Sequence, residues 1–240
     1  MASVSSSEPD AQGLRVIIEG DAAVTALWYR AAVPEVGAAL LLAHGAGAGQ
    51  HSPFMTTWAR ALAMLGLDVV TFNFFYTEQR RRLPDRPPLL EACYRAAVAH
   101  VVGEVPSARD ALFIGGKSMG GRMATHIAAA GPDLPVRGLI LLGYPLHPPG
   151  KPDQRRDAHL PRVGRPMLFV QGGRDTFGTP EELAPVLARI SPAPTLHVVE
   201  GGDHSFKVSR SGAARQAEID DDVQRRIVAW VAGTRAGMRR

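Results

Sequence analysis

Short apolar runs that end in glycine-rich turns and then give way to helical spacing recur along this chain. That alternation constrains the fold more than any other feature. Residues 38–43 form a continuous apolar run, as a strand covered on both faces requires. Residues 14–19 and 26–29 read as opening strands. Residues 67–74, 111–115, 139–142, 167–171 and 195–199 read as later ones. Helical spacing fills the intervals at 53–65, 89–105, 119–130, 180–190 and 217–232; the fourth of these opens with Pro180 after Thr179, a good cap pair. Strands alternating with helices predict an α/β fold: a twisted, mostly parallel central sheet with helices on both faces. In such a sheet ligands sit beyond the carboxyl ends of the strands, so the chemistry is expected in the turns that follow them.

Composition narrows the class. A chain of 240 residues can bury roughly 70% of its unfolded surface, enough for a core without disulfides or a structural metal. Apolar residues at 45% and charged residues at 21% argue against disorder. Cys93 stands alone, which excludes an internal disulfide and an all-cysteine metal site; it is read as a small buried apolar residue. No histidine pair with a carboxylate has metal-ligand spacing, so no metal is expected. The net charge of +4 is weak, and 24 of the 27 basic residues are arginines, a bias that resembles the codon usage of a GC-rich genome. The only dense basic run is Arg80-Arg81-Arg82, broken by Asp85, and nucleic-acid binding is not expected. Residues 1–12 read as a flexible tail and 13–240 as a single domain. The start lacks a signal-peptide pattern and no apolar run is long enough to span a bilayer, which predicts a cytoplasmic protein away from membranes.

The turn after 111–115 reads Gly116-Lys117-Ser118-Met119-Gly120-Gly121. Strand, Gly-x-Ser-x-Gly and helix in that order is the pattern of a nucleophile elbow. The serine sits in a strained conformation with its hydroxyl above the sheet. The residues two before and two after it pack together and must be small. The following helix aims its amino end at the serine, so the Met119 amide can stabilise an oxyanion. Gly116-Lys117-Ser118 also ends a phosphate-loop pattern, but that loop needs a glycine where Ala111 stands.

Three other strand ends complete a set. His44-Gly45-Ala46-Gly47 follows 38–43 and can supply a second oxyanion amide from Ala46. Gly45, Gly47 and Lys117, beside these donors, are candidate substrate-binding residues. His44 precedes its turn and is read as a structural hydrogen-bonder. Gly172-Gly173-Arg174-Asp175 and Gly201-Gly202-Asp203-His204 follow the last two strands. A serine nucleophile needs a base, and the base needs an orienting carboxylate. Ser118, Asp175 and His204 supply these types in the chain order this architecture uses. Asp203 is expected to point away from the base and is the fallback acid. His100 and His126 lie in helical patterns and His197 within a strand, poor places for a mobile base. His51, His147 and His159 lie on loops that could line a pocket.

On these motifs the chain from about Val36 to the last helix resembles the α/β-hydrolase superfamily, in its compact dienelactone-hydrolase-like branch. The resemblance implies a triad of Ser118, Asp175 and His204, oxyanion donors at Ala46 and Met119, and no cofactor. Dienelactone hydrolases proper use a cysteine nucleophile where this chain has Ser118, which leaves ester or thioester chemistry. Many relatives insert a lid domain where this chain has only 145–165, so the site is expected to be shallow or roofed by loops 73–88 and 145–165. Those loops carry Arg80, Arg81, Arg82, Arg86, Arg155, Arg156 and Arg162, which suggests a preference for an anionic group on a small or medium ester. The alternatives at this stage are a non-catalytic interaction module on the same fold, or an acyltransferase. The oligomeric state is open.

Overall fold

β3 (Ala39–Ala43) is buried at every residue and shows why the core has two halves. Its side chains alternate between the faces of the sheet. Leu40 and Leu42 join a cluster with Met55 and Trp58 of α1 (Pro53–Met64) and with Val223 and Ile227 of α7 (Ala213–Gly237). Leu41 and Ala43 join the opposite cluster, with Leu90 and Ala97 of α3 (Pro87–Glu104) and Met123 and Ile127 of α5 (Met119–Ala130). Helices therefore cover both faces, which explains the unbroken apolar runs in the sequence.

The computed structural model describes residues 11–19, 22–32, 35–209 and 212–237. The expected tail lies outside the described residues up to residue 10, and β1 (Gln12–Glu19) begins directly after Ala11. The other strands are β2 (Ala22–Tyr29), β4 (Asp68–Phe72), β5 (Leu112–Lys117), β6 (Gly138–Leu142), β7 (Met167–Gly172) and β8 (Thr195–Val199). The eight strands are ordered β1-β2-β4-β3-β5-β6-β7-β8. β1 pairs antiparallel with β2, and β2 antiparallel with β4, Ala26 facing Phe72. All the other pairings are parallel. The mostly parallel α/β sheet is thus the one the sequence predicts.

The chain runs from β3 outward to β4, then returns across β3 to β5. That reversal opens a crevice beyond the carboxyl ends of β3 and β5, the usual place for a ligand in an open α/β sheet. Ala43 and Gly116 sit opposite each other at that edge.

Several elements depart from the expected boundaries, β2 starting four residues earlier than expected and the helix expected over 180–190 ending three residues sooner. α2 (Phe75–Glu78) and α4 (Pro106–Asp110) are one-turn helices absent from the sequence reading. α2 is held from outside, because Asp85 accepts from the Tyr76 N–H at 3.0 Å. α7 starts earlier than its apolar period does; its exposed stretch is laced by Asp221–Arg225 and Asp222–Arg226 pairs at 2.8 Å, each worth a few tenths of a kcal/mol. α6 (Pro180–Leu187) opens as expected: Thr179 and Glu182 exchange hydrogen bonds in a capping box.

The rear of α5 is tied down by Arg165. Its guanidinium donates to the carbonyls of Ala128, Gly131, Pro132 and Leu134, and also to Val136 just before β6. A cation on the last carbonyls of a helix also complements the negative end of its dipole.

Candidate active site

Ser118 lies between β5 and α5 with φ 51° and ψ −113°, a conformation that non-glycine residues adopt rarely. The sheet enforces it. The Ser118 N–H donates to Leu142 of β6 at 2.9 Å, and the Ser118 carbonyl accepts from Arg122 one turn into α5 at 3.1 Å. The two flanking glycines leave no space for a side chain. A Cβ on Gly116 would meet Ala43 O at 2.4 Å and Gly120 C at 2.7 Å. A Cβ on Gly120 would meet Ala43 O at 2.3 Å. The two positions therefore pack against each other and against β3, as the Gly-x-Ser-x-Gly pattern requires.

Ser118 and Met119 line a cavity of about 620 Å³ together with Gly45, Ala46, Lys117 and His204. Gly47 turns with φ 71° and is not part of the lining. The N–H groups of Ala46 and Met119 donate to no acceptor among the described residues, which leaves both available to a ligand oxygen. Both expected roofing loops contribute: Pro84 and Asp85 from one, Pro145 and Arg156 from the other. Of the eight arginines in those loops, Arg156 alone lines the cavity.

Asp175 is fully buried in the turn after β7. Its Oδ2 accepts from His204 Nδ1 at 2.7 Å and from Gln171 Nε2 at 2.8 Å, while Oδ1 accepts from the Phe177 N–H at 2.8 Å. His204 Nε2 is buried and has no hydrogen-bond partner among the described residues. Phe177 stacks on the imidazole, with ring centroids 4.2 Å apart and an interplanar angle of 27°. The structure therefore brings Asp175 and His204 into direct contact and places His204 and Ser118 on one cavity, without a direct hydrogen bond between those two. Asp203 is turned away, its Oδ1 accepting from the N–H groups of Ser205 and Lys207.

Lys117 is a buried cation beside the serine, 8% exposed. Its Nζ donates to the His204 carbonyl at 2.6 Å and lies 5.7 Å from the centre of the Phe54 ring. Burial lowers its amine to about 8, against the pull of Asp175 and Asp203. Its ammonium is thus committed to the loop that carries His204, although its side chain borders the cavity.

Four of the remaining histidines have partners elsewhere, while His100 Nε2 is buried without one among the described residues. His44 is completely buried; its Nδ1 lies 2.8 Å from Gly45 O, and its Nε2 accepts from the Phe74 N–H at 3.2 Å. Burial pushes it down to about 4. His126 contacts Glu91 at 2.9 Å, His147 contacts Glu182 at 3.2 Å, and His159 contacts Thr125 at 2.7 Å. His197 lies within β8. None of these lines the cavity. Cys93 is buried, which pushes its thiol up to about 12. Among the described residues no group of three or more His, Cys, Asp or Glu is placed to hold a metal ion. No helix among them is long and apolar enough to cross a membrane.

Sequence reading did not single out Gln171, Phe177 or Arg122. Gln171 ends an apolar strand, and nothing local marks it as more than the strand's boundary. Arg122 stands one helical turn after Ser118, a spacing that could have flagged it.

Comparison with known proteins agrees with this fold. A family model for the alpha/beta hydrolase domain matches residues 36–232. A dienelactone hydrolase from Anabaena variabilis aligns over 91% of this chain and 97% of its own, at TM-score 0.68 and 20% identity. A serine hydrolase without lid from Xanthomonas campestris aligns over 90% and 94%, at TM-score 0.64 and 21% identity. An esterase domain from a Rhodothermus marinus protein aligns over 93% and 98%, at TM-score 0.69 and 16% identity. At these identities the structural likenesses speak for the fold. With the family model spanning all the parallel strands and the strand ends just described, the chain belongs to the alpha/beta hydrolase domain family.

Proposed function

We propose that this chain is a serine hydrolase that cleaves a small to medium ester or thioester through an acyl-enzyme. The observation that carries the reading is Ser118, held at positive φ on the wall of a cavity that also takes the imidazole of His204, itself bonded to buried Asp175. A residue kept in so rare a conformation by its surroundings belongs to a site more often than to a scaffold.

In this reading the free Nε2 of His204 takes the proton of Ser118 as the hydroxyl oxygen attacks the acyl carbonyl. Asp175 bonds Nδ1, so it fixes the tautomer that leaves Nε2 as the acceptor and steadies the imidazolium that forms. The imidazole must close on the hydroxyl when substrate arrives, as catalytic contacts commonly do. The N–H groups of Ala46 and Met119 take up the developing negative charge; one such donor is typically worth about 100- to 1,000-fold in kcat. His204 then returns its proton to the leaving group, and water activated by the same nitrogen resolves the acyl-enzyme. A single domain over 13–240 carries the reaction, and the steps call on no cofactor. The similarity to a lidless serine hydrolase and to an esterase domain supports the choice of an acyl substrate.

The test is covalent labelling with a fluorophosphonate, followed by a panel of activated esters of increasing acyl length. Labelling at Ser118 and a loss of about 10⁶ in kcat for Ser118→Ala are expected if the three residues act as a unit. Equal turnover by Ser118→Ala would overturn the reading. Transfer to an added alcohol in preference to water would assign an acyltransferase instead.

A further inference from the structure

We propose that Arg122 and Arg156 form an anion-binding subsite of the cavity, which selects esters carrying a carboxylate away from the scissile bond. The inference rests on the serine hydrolase reading of Ser118 and names the substrate class of that site.

The two guanidinium groups come from different elements and line the cavity that Ser118 lines. Arg122 is fixed by α5, one turn beyond the serine. Arg156 is fixed by its own backbone: its N–H donates to Leu146 O at 2.9 Å, and its carbonyl accepts from Tyr144 Oη at 2.6 Å. Neither arginine is paired with a carboxylate among the described residues. Arg122 Nε reaches only His126 Nε2, at 3.4 Å. The acids that could neutralise the pair are already engaged. Asp85, also on the cavity wall, holds Arg81 and accepts from the Tyr76 N–H. Glu91 holds His126, and Asp157 holds Arg155 and Arg189.

The two cations also disfavour each other. Burial first, and then the charge of Arg122, hold the Arg156 guanidinium below its ordinary range. Two like charges kept half-buried on one cavity wall cost free energy in the empty protein, and a bound anion removes that cost. Guanidinium forks match a planar carboxylate with two parallel hydrogen bonds, which favours carboxylate over a spherical anion. Nearby Leu90 and Met123 give the same wall an apolar stretch for the methylenes between ester and carboxylate.

The test compares 4-nitrophenyl hydrogen glutarate with the 4-nitrophenyl ester of methyl glutarate, its neutral counterpart. In the wild-type protein at low salt, kcat/KM should favour the anionic ester by roughly 10- to 100-fold, the range for hydrogen bonds to charged groups. The ratio should fall at high salt and approach one in the Arg122→Gln/Arg156→Gln double variant. A wild-type ratio near one, or a ratio that the double variant leaves unchanged, overturns the subsite. Should the double variant fail to fold, each single variant is read by the same ratio.

Glutarate binding measured by calorimetry needs no turnover and separates the two readings. Glutarate bound by the wild type and not by the variants supports the subsite even if Ser118→Ala disproves the serine mechanism. Equal binding by wild type and variants, or none by either, overturns it. Inorganic phosphate serves as a second probe, and phosphate binding tighter than glutarate overturns the carboxylate assignment.

Discussion

Gln171 donates its side-chain amide to Asp175 Oδ2 at 2.8 Å, the same oxygen that accepts from His204. The amide is held in turn by the Gly178 carbonyl at 2.7 Å, and its oxygen accepts from the Tyr144 N–H at 2.8 Å. The carboxylate is thus placed from below by a residue that cannot reach a substrate. Gln171→Met keeps the volume and removes the donor. A hydrogen bond to a charged group contributes roughly 1.5–3 kcal/mol. The variant should lose at least about tenfold in kcat on an activated ester with KM little changed. An unaltered kcat would deny Gln171 a positioning role.

Lys117→Met tests the neighbouring anchor. The substitution removes the hydrogen bond to the His204 carbonyl but also relieves the cost of burying an ammonium, a cost visible in the lowered amine. Replacing a buried cation by an apolar side chain of similar length is often close to neutral for stability. The expected outcome is a melting temperature within about 3 °C of wild type, together with a fall in kcat of about tenfold as the His204 loop loses its tether. A large thermal loss with intact kcat would show that the contact serves folding alone.

Gly120→Ala should be among the most damaging single-methyl additions in the chain. Its Cβ meets backbone atoms of Ala43 and His44 at 2.3–2.8 Å, and backbone cannot rotate aside as a flexible side chain can. Overpacking of this kind costs about 1–3 kcal/mol or more. Gly103→Ala, in α3 with no atom within 4 Å of its Cβ, should be neutral or stabilising by up to about 1 kcal/mol. Urea denaturation of the two variants in parallel checks the contrast.

Stability should fall on mild acidification, and His44 supplies a defined part of the loss. Its imidazole is lowered by burial to about 4, so the unfolded chain takes up a proton below about 6.5 while the folded chain does not until about 4. The unfolded state therefore binds more protons across that window, and the slope of stability against pH is positive there. Between about pH 7 and 5 the expected loss from His44 is about 2 kcal/mol. His159, also lowered to about 4, adds in the same direction. A His44→Gln variant should show a shallower dependence of its urea midpoint on pH; an equally steep one would remove His44 from the account.

What could be read in the sequence follows from which contacts are local. β3, β6 and β7 are covered on both faces, so each is a nearly unbroken apolar run and stands out without any partner. Ser118, Asp175 and His204 each end or follow a strand with glycines beside them, a local signature of residue type and turn chemistry. Gln171 carries no such mark, because its importance comes from Tyr144 and Gly178 reaching it in space. α2 was invisible for the same reason: Asp85 fixes its first turn from beyond the helix. The arginine-rich loops raised the idea of an anionic ligand, yet only Arg156 of that set meets the cavity. Its partner Arg122 sits on the helix after Ser118, outside both loops.

Arg165 gathers the carbonyls behind α5 while Ser118 stands at the front of the same helix. A screen scoring enzymatic output alone would flag Arg165 as though it handled substrate. Its guanidinium works as a keel: it does not line the cavity, and a variant lacking it should blunt turnover only by letting the helix that Ser118 heads swing.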